Sequence, residues 1–280
     1  MKQILPLVPL LFCVSALCHQ SRADEVKSVQ VRVHRWLEVT QLAGTVTYQA
    51  PQQSSEPARK GMRLQSVGDT LRTGNGSSAV LQVDTDIGTV NISANTTVRV
   101  QQLQLMPNGG RVTRLQVTGG QARFRVRKFN HPGSSLEIET PAGSSAVRGT
   151  EFGVSVHPDG KTGIATREGR ILVEAQNQSL LVEAGQEVLL IPGLPPPGEP
   201  KPLTPLPQFN LRLLSTLDDQ TVRIVAQVDP LNLVKIAGLP QILTHDGQID
   251  VTVPLPPDRR IQVIAIAPIG LQQVYELAVP

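Results

Sequence analysis

Short runs of alternating apolar and polar residues fill the chain from Trp36 to Ile191. Ala79, Leu81 and Val83 alternate with Val80, Gln82 and Asp84; Val98 and Val100 alternate with Arg99 and Gln101. Leu115 and Val117 sit opposite Arg114 and Gln116, and Ala122, Phe124 and Val126 opposite Arg123, Arg125 and Arg127. Phe152, Val154 and Val156 sit opposite Glu151, Gly153 and Ser155. A period of two puts one set of side chains on a core face and the other outside. Turn signals separate the runs, at Gly74-Asn75-Gly76, Asn108-Gly109-Gly110, Gly119-Gly120, His131-Pro132-Gly133, Pro158-Asp159-Gly160 and Glu168-Gly169. Many short strands at roughly ten-residue spacing predict an all-β sandwich or barrel. No window keeps a helical period over three turns.

The alternation stops at Pro192. Residues 192–207 read PGLPPPGEPKPLTPLP and hold eight of the 23 prolines. Such a segment forms neither a helix nor a central strand. It marks a boundary, as an extended spacer of up to roughly 50 Å or as a stretch packed along one domain. Alternation resumes at Phe209. Val222, Ile224, Ala226 and Val228 form one face, and Ile249, Val251 and Val253 another. Ile261 to Ala267 is apolar on both faces, the pattern of a central strand between two layers. Residues 208–280 therefore predict a small Ig-like or fibronectin-like β-sandwich. It lacks the internal cysteine pair of an antibody domain.

The first residues follow a different rule. Lys2 precedes an apolar run from Ile4 to Leu17, and Ser21 and Ala23 place small residues before Asp24. This predicts a signal peptide over 1–23 cleaved near Ala23. The run is shorter than the roughly 20 residues of a membrane span and contains Pro6 and Pro9. Acylation at Cys18 is the alternative processing, and Leu17 is a poor residue before it. Export changes the charge arithmetic. The leader carries Lys2 and Arg22 and no acid, so the chain's net +3 falls to +1. Both cysteines, Cys13 and Cys18, leave with it. The mature chain is expected to be periplasmic or secreted, with no transmembrane segment, disulfide or thiolate nucleophile. Aromatic residues are 3% of the chain, which argues against single-stranded nucleic-acid binding by base stacking.

The run Thr140-Pro141-Ala142-Gly143-Ser144-Ser145-Ala146-Val147-Arg148-Gly149-Thr150-Glu151-Phe152 resembles the hallmark of the FecR-type domain. Upstream, Gly68-Asp69-Thr70-Leu71-Arg72-Thr73 and Gly76-Ser77-Ser78-Ala79 are similar to an earlier element of that family. Downstream, Thr166-Arg167-Glu168-Gly169 and Val182-Glu183-Ala184-Gly185-Gln186 are similar to its later repeats. The resemblance covers roughly 37–191 and implies a jelly-roll-like or β-helical periplasmic domain, here placed at 33–191. The family's founding members are iron-citrate signalling regulators with a cytoplasmic anti-sigma segment and a membrane span before this domain. This chain opens on an export leader instead, so transmembrane sigma regulation is not expected of it.

Arg148, Gly149, Thr150, Glu151 and Phe152 carry the hallmark, in a structural or a binding role. The Arg148 guanidinium suits backbone carbonyls or a carboxylate, with Glu151 as a candidate partner and anion recognition as the alternative. Gly149 suits a close backbone approach or a positive φ. Arg123, Arg125 and Arg127 form a basic stripe and a candidate anion-binding face. Glu137 and Glu139 are expected to neutralise it from the next strand. Asp84 and Asp86 before Gly88 look like a cation loop, but two carboxylates fall short of the usual six to eight oxygens. His34, His131, His157 and His245 lack metal spacing. No G-x-S-x-G, H-E-x-x-H or phosphate-loop motif occurs. No cofactor is expected. The expectation is a non-enzymatic binding or scaffold module of the bacterial envelope, its partner an envelope protein or a cell-wall or glycan component. The alternatives are an accessory sensor in envelope signalling and, more distantly, a glycan-active enzyme.

Overall fold

A computed structural model of the chain describes residues 35–84, 87–204 and 206–280. The leader 1–23 with Cys18, His34 and Asp86 lie outside the described residues. The described residues hold strands and turns and no helix. The N-terminal body contains β1 (Leu37–Ala43), β2 (Val46–Gln49), β3 (Glu56–Pro57), β4 (Arg63–Leu64), β5 (Thr70–Thr73), β6 (Ser78–Val83), β7 (Gly88–Ile92), β8 (Thr97–Leu105) and β9 (Arg111–Val126). It continues with β10 (Ser135–Thr140), β11 (Gly143–Val147), β12 (Glu151–Val156), β13 (Thr162–Glu168), β14 (Arg170–Ala175), β15 (Gln178–Glu183), β16 (Gln186–Leu190) and β17 (Lys201–Pro202).

These strands join into one 17-stranded sheet that folds into two runs. One run is ordered β4-β1-β6-β7-β9-β12-β13-β16-β17. The other is β3-β2-β5-β8-β9-β10-β11-β14-β15. Every pairing is antiparallel except β9 with β10. One hydrophobic cluster takes Leu37, Leu81, Phe124, Phe152 and Ile164 from the first run and Leu71, Val98, Leu115, Leu136 and Ile171 from the second. The apolar members of the alternating runs are therefore the inner faces of two layers, as the period of two requires.

β9 is shared by both layers and corrects one sequence expectation. Gly119-Gly120 is not a turn. Residues 111–117 pair with β8 and β10 in one run, and 120–126 pair with β7 and β12 in the other. Gly120 has φ +80°, and a Cβ there would lie 2.3 Å from Thr96 Oγ1. The glycine pair lets a single strand change layers, a use of glycine that short-range patterning reads as a break.

The C-terminal part holds β18 (Phe209–Thr216), β19 (Thr221–Val228), β20 (Leu233–Ile236), β21 (Leu239–Pro240), β22 (Gln248–Pro254), β23 (Arg260–Ile266) and β24 (Gln272–Ala278). A three-stranded sheet β18-β19-β22 faces a four-stranded sheet β21-β20-β23-β24. Both contribute to a second core, with Val222, Ile224 and Ile249 from one side and Ile236, Ile261 and Val263 from the other. The proline-rich stretch between the cores turns back onto the body. β17 pairs with β16, and Leu203 N donates to Gly185 O at 2.7 Å. Pro202 sits on this outermost strand, where a missing N–H costs no ladder bond. The described residues from Arg35 to Pro280 belong to one compact unit.

Candidate functional site: the cleft between the two cores

β12 and β13 have burial patterns that a two-layer body alone does not explain. Gly153, Ser155, Gly163 and Ala165, on the faces turned away from the first core, are buried too. The C-terminal sandwich covers them. A Cβ on Gly153 would stand 1.8 Å from Pro268 O, and one on Gly163 would stand 2.7 Å from Leu231 O. Small residues on these two strands are what let the loops of the sandwich approach so closely.

Polar groups then fix the docking. The Gln121 side-chain amide donates to Ala267 O at 2.6 Å and Pro268 O at 3.2 Å. Lys161 Nζ donates to Leu243 O at 2.5 Å and lies 2.8 Å from Asp159. Leu231 is 1% exposed although it belongs to neither core. Arg123 runs along Gly270 in the β23–β24 turn, where a Cβ would meet its Cδ at 2.6 Å.

Beside this docking surface lies a cleft of about 690 Å³ bordered by both parts. Its sandwich wall is the outer face of β20 and β23: Leu233, Lys235, Gln262, Ile264 and Ile266. The apolar second face of Ile261–Ala267 is thereby explained, because Ile264 and Ile266 look onto the cleft and not into a second core. The body wall includes Asn95, Thr118, Gln121, Arg123 and His157. Among the described residues, no carboxylate and no Phe, Tyr or Trp ring lines it. Lys235 is half-buried, and burial alone holds its ammonium below the usual lysine range. His157 is buried, and loss of solvent pushes its pKa down to about 4 despite the nearby Asp159. Its ring has the Leu231 backbone as a hydrogen-bonding neighbour, while Nε2 has no partner.

The residues singled out from sequence lie at the other end of β12. Gly149 has φ +104°, and a Cβ there would stand 2.5 Å from Lys128 Cα, so positive φ and close approach both apply. Thr150 exchanges two backbone bonds with Val126 at 2.9 and 3.0 Å. Phe152 is buried and stacks on Phe124 with ring centroids 4.8 Å apart. Arg148 does not meet Glu151; its guanidinium donates to Pro132 O. Glu151 accepts instead from Arg125 at 2.9 Å and Arg167 at 3.3 Å, because Glu151 stands opposite Arg125 in the β9–β12 ladder.

The arginine stripe faces outward as alternation requires, but its members part company. Arg125 is held by Glu151, Arg123 packs on Gly270, and Arg127 lies beyond the ladder at the end of β9. Glu137 and Glu139 do not neutralise it. β10 pairs with the first half of β9, so both carboxylates reach Arg114, at 2.7 and 3.2 Å. Lys128, Arg148 and Arg170 border a separate cavity of about 600 Å³ beside the hallmark. The Asp84 carboxylate is engaged by buried Arg35, from which it accepts at 2.8 and 2.9 Å; Asp86 of the same loop lies outside the described residues.

Sequence reasoning missed the cleft. Gly153 was visible as a glycine inside a strand, a mark of close approach, but the element that approaches it lies more than a hundred residues away.

Comparison with known proteins gives one family match and low-identity structural likenesses. No curated protein matches the sequence. Among solved structures, a candidate anti-sigma factor from Parabacteroides distasonis ATCC 8503, known from two crystal structures at 2.50 and 1.65 Å resolution, is similar at 16% identity. The similarity has a TM-score of 0.37 and covers 43% of this chain and 53% of that one, so this chain aligns with about half of its length. A polysaccharide lyase is similar at 9% identity and a TM-score of 0.21, over 88% of this chain and 40% of that one. Residues 69–172, from the start of β5 into β14 and including the whole hallmark, match the family described as FecR protein.

Proposed function

We propose that the chain is an exported, non-enzymatic binding module of the bacterial cell envelope, with a FecR-type body and an Ig-like sandwich acting together. The observation that carries this reading is the docking of Gln121, Gly153 and Gly163 against Leu231, Ala267 and Pro268. It holds two cores in a fixed relation and leaves a cleft between them, the usual place for a binding site. The leader over 1–23 supports export. The cleft gathers cations, amides and aliphatic side chains without a paired acid and base, which suits recognition better than proton transfer.

The test is made on the full chain with its leader, expressed in a bacterium. Processing near Ala23, recovery outside the cytoplasm and saturable retention on purified cell-wall sacculi or on solubilised envelope proteins are expected. An unprocessed cytoplasmic chain, or one retained on no envelope fraction, contradicts the proposal. The FecR match at 69–172 favours a second reading, an accessory sensor in envelope signalling. On that reading, deleting the gene alters transcription driven by an extracytoplasmic sigma factor. On the scaffold reading it leaves such transcription unchanged.

A further inference from the structure

The chemistry of the cleft narrows its ligand, provided the chain is the binding module proposed above. Lys235 and Arg123 bring positive charge to opposite walls. Neither has an ion-pair partner among the described residues, and no lining carboxylate balances them. An ammonium held half-buried without a counter-ion is a cost that a bound anion removes. Between the cations the surface is not uniformly polar. Ile264 and Ile266 present branched aliphatic side chains on the outward face of β23, and Leu233 does so on β20.

Gln262, Gln272 and Asn95 add carboxamides, each able to donate and accept at once. That is the complement of a peptide backbone. The cleft lacks the aromatic platform on which sugar rings stack, and its volume suits a short segment rather than a folded partner.

We infer that this cleft takes an extended acidic peptide, its carboxylates at Lys235 and Arg123 and its aliphatic side chains on Ile264 and Ile266. The peptide runs between body and sandwich and touches both, so it binds only while the two remain docked.

Fluorescence anisotropy on the full mature chain tests this with three labelled probes: a six-residue peptide alternating Ala and Glu, its Ala–Gln counterpart, and an oligogalacturonate of similar charge. The Glu peptide is expected to bind saturably, about tenfold or more tighter than the Gln peptide, and more weakly as salt rises. Lys235→Met keeps the aliphatic stem and is expected to weaken the Glu peptide about tenfold without changing the melting temperature. Arg123→Gln provides the same test from the body wall. Equal binding of the Glu and Gln peptides, preference for the oligogalacturonate, or undiminished binding by both variants overturns the inference. If envelope retention persists while peptide binding is absent, the inference fails and the binding-module reading stands. If no envelope fraction is retained, that reading fails instead.

Discussion

The side-chain amide of Gln121 donates to the carbonyl of Ala267 across 2.6 Å and 146 positions of sequence. Gln121 follows directly on the glycine pair where β9 changes layers, and Ala267 follows directly on β23. The bond thus ties the strand that joins the two layers of the body to the central strand of the sandwich sheet. Both groups are buried, so leaving either unmade would cost about 1–3 kcal/mol. The bond specifies where the sandwich docks, and the small residues of β12 and β13 allow it to dock there.

Gly153→Ala tests that docking most simply. The added methyl would stand 1.8 Å from Pro268 O, so backbone must move. A loss of about 1–3 kcal/mol is expected, with the sandwich melting before the body in a thermal scan. An unchanged single transition would show that the contact does not hold the parts together.

Phe152 stacks on Phe124 at the centre of the first core. Phe152→Ala is expected to cost about 3–5 kcal/mol in urea unfolding, which would assign this hallmark position to packing. A loss under about 1 kcal/mol would contradict that role.

His157 gives the fold a pH dependence. Its folded pKa of about 4 lies below the ordinary histidine value of about 6.5, chiefly through desolvation. The unfolded chain therefore binds a proton that the folded chain refuses, and stability falls as pH drops from about 6.5 to about 4. The full effect is about 3 kcal/mol. Glu187, raised by burial, works in the opposite sense. The measurement is therefore the difference between wild type and His157→Gln: the wild type is expected to lose the extra stability across this window, and parallel pH curves would refute the assignment.

Arg35 and Asp84 form a buried pair, and Arg35 also donates to Gln104 O, Val112 O and Thr113 Oγ1. Arg35→Met leaves the buried carboxylate only Arg111 at 3.9 Å and the Trp36 N–H at 3.2 Å, and is expected to cost about 3–5 kcal/mol. Adding Asp84→Asn should recover part of that loss, because no uncompensated charge then stays buried. A double variant no more stable than the single one would argue that the bonds to the carbonyls dominate.

How much of this was legible in the sequence depends on range. Alternation located the inner faces of β6, β8, β9, β12 and β19, because burial on one face of a strand is written in neighbouring residues. The VRGTEF run pointed to the FecR match because its glycine and aromatic requirements are local. Partner choice was not local. Glu137 and Glu139 were assigned to the wrong arginines because the ladder register of β10 is set by its parallel pairing with the far half of β9. Gly119-Gly120 carries the composition of a turn and serves as a crossing point between layers. The cleft was invisible because its walls, Arg123 and Lys235, meet only after two separate cores have formed and docked.

The central claim is that body and sandwich form one unit with a cleft of fixed shape. The two cysteines of the sequence are Cys13 and Cys18, so a chain starting at Asp24 offers a clean background for labelling. Spin labels at Asn75→Cys and Leu239→Cys, exposed positions on either side of the cleft, report its width by pulsed dipolar spectroscopy. The account predicts one narrow distance distribution, unchanged in position when the acidic peptide is added. A broad or two-peaked distribution would contradict it.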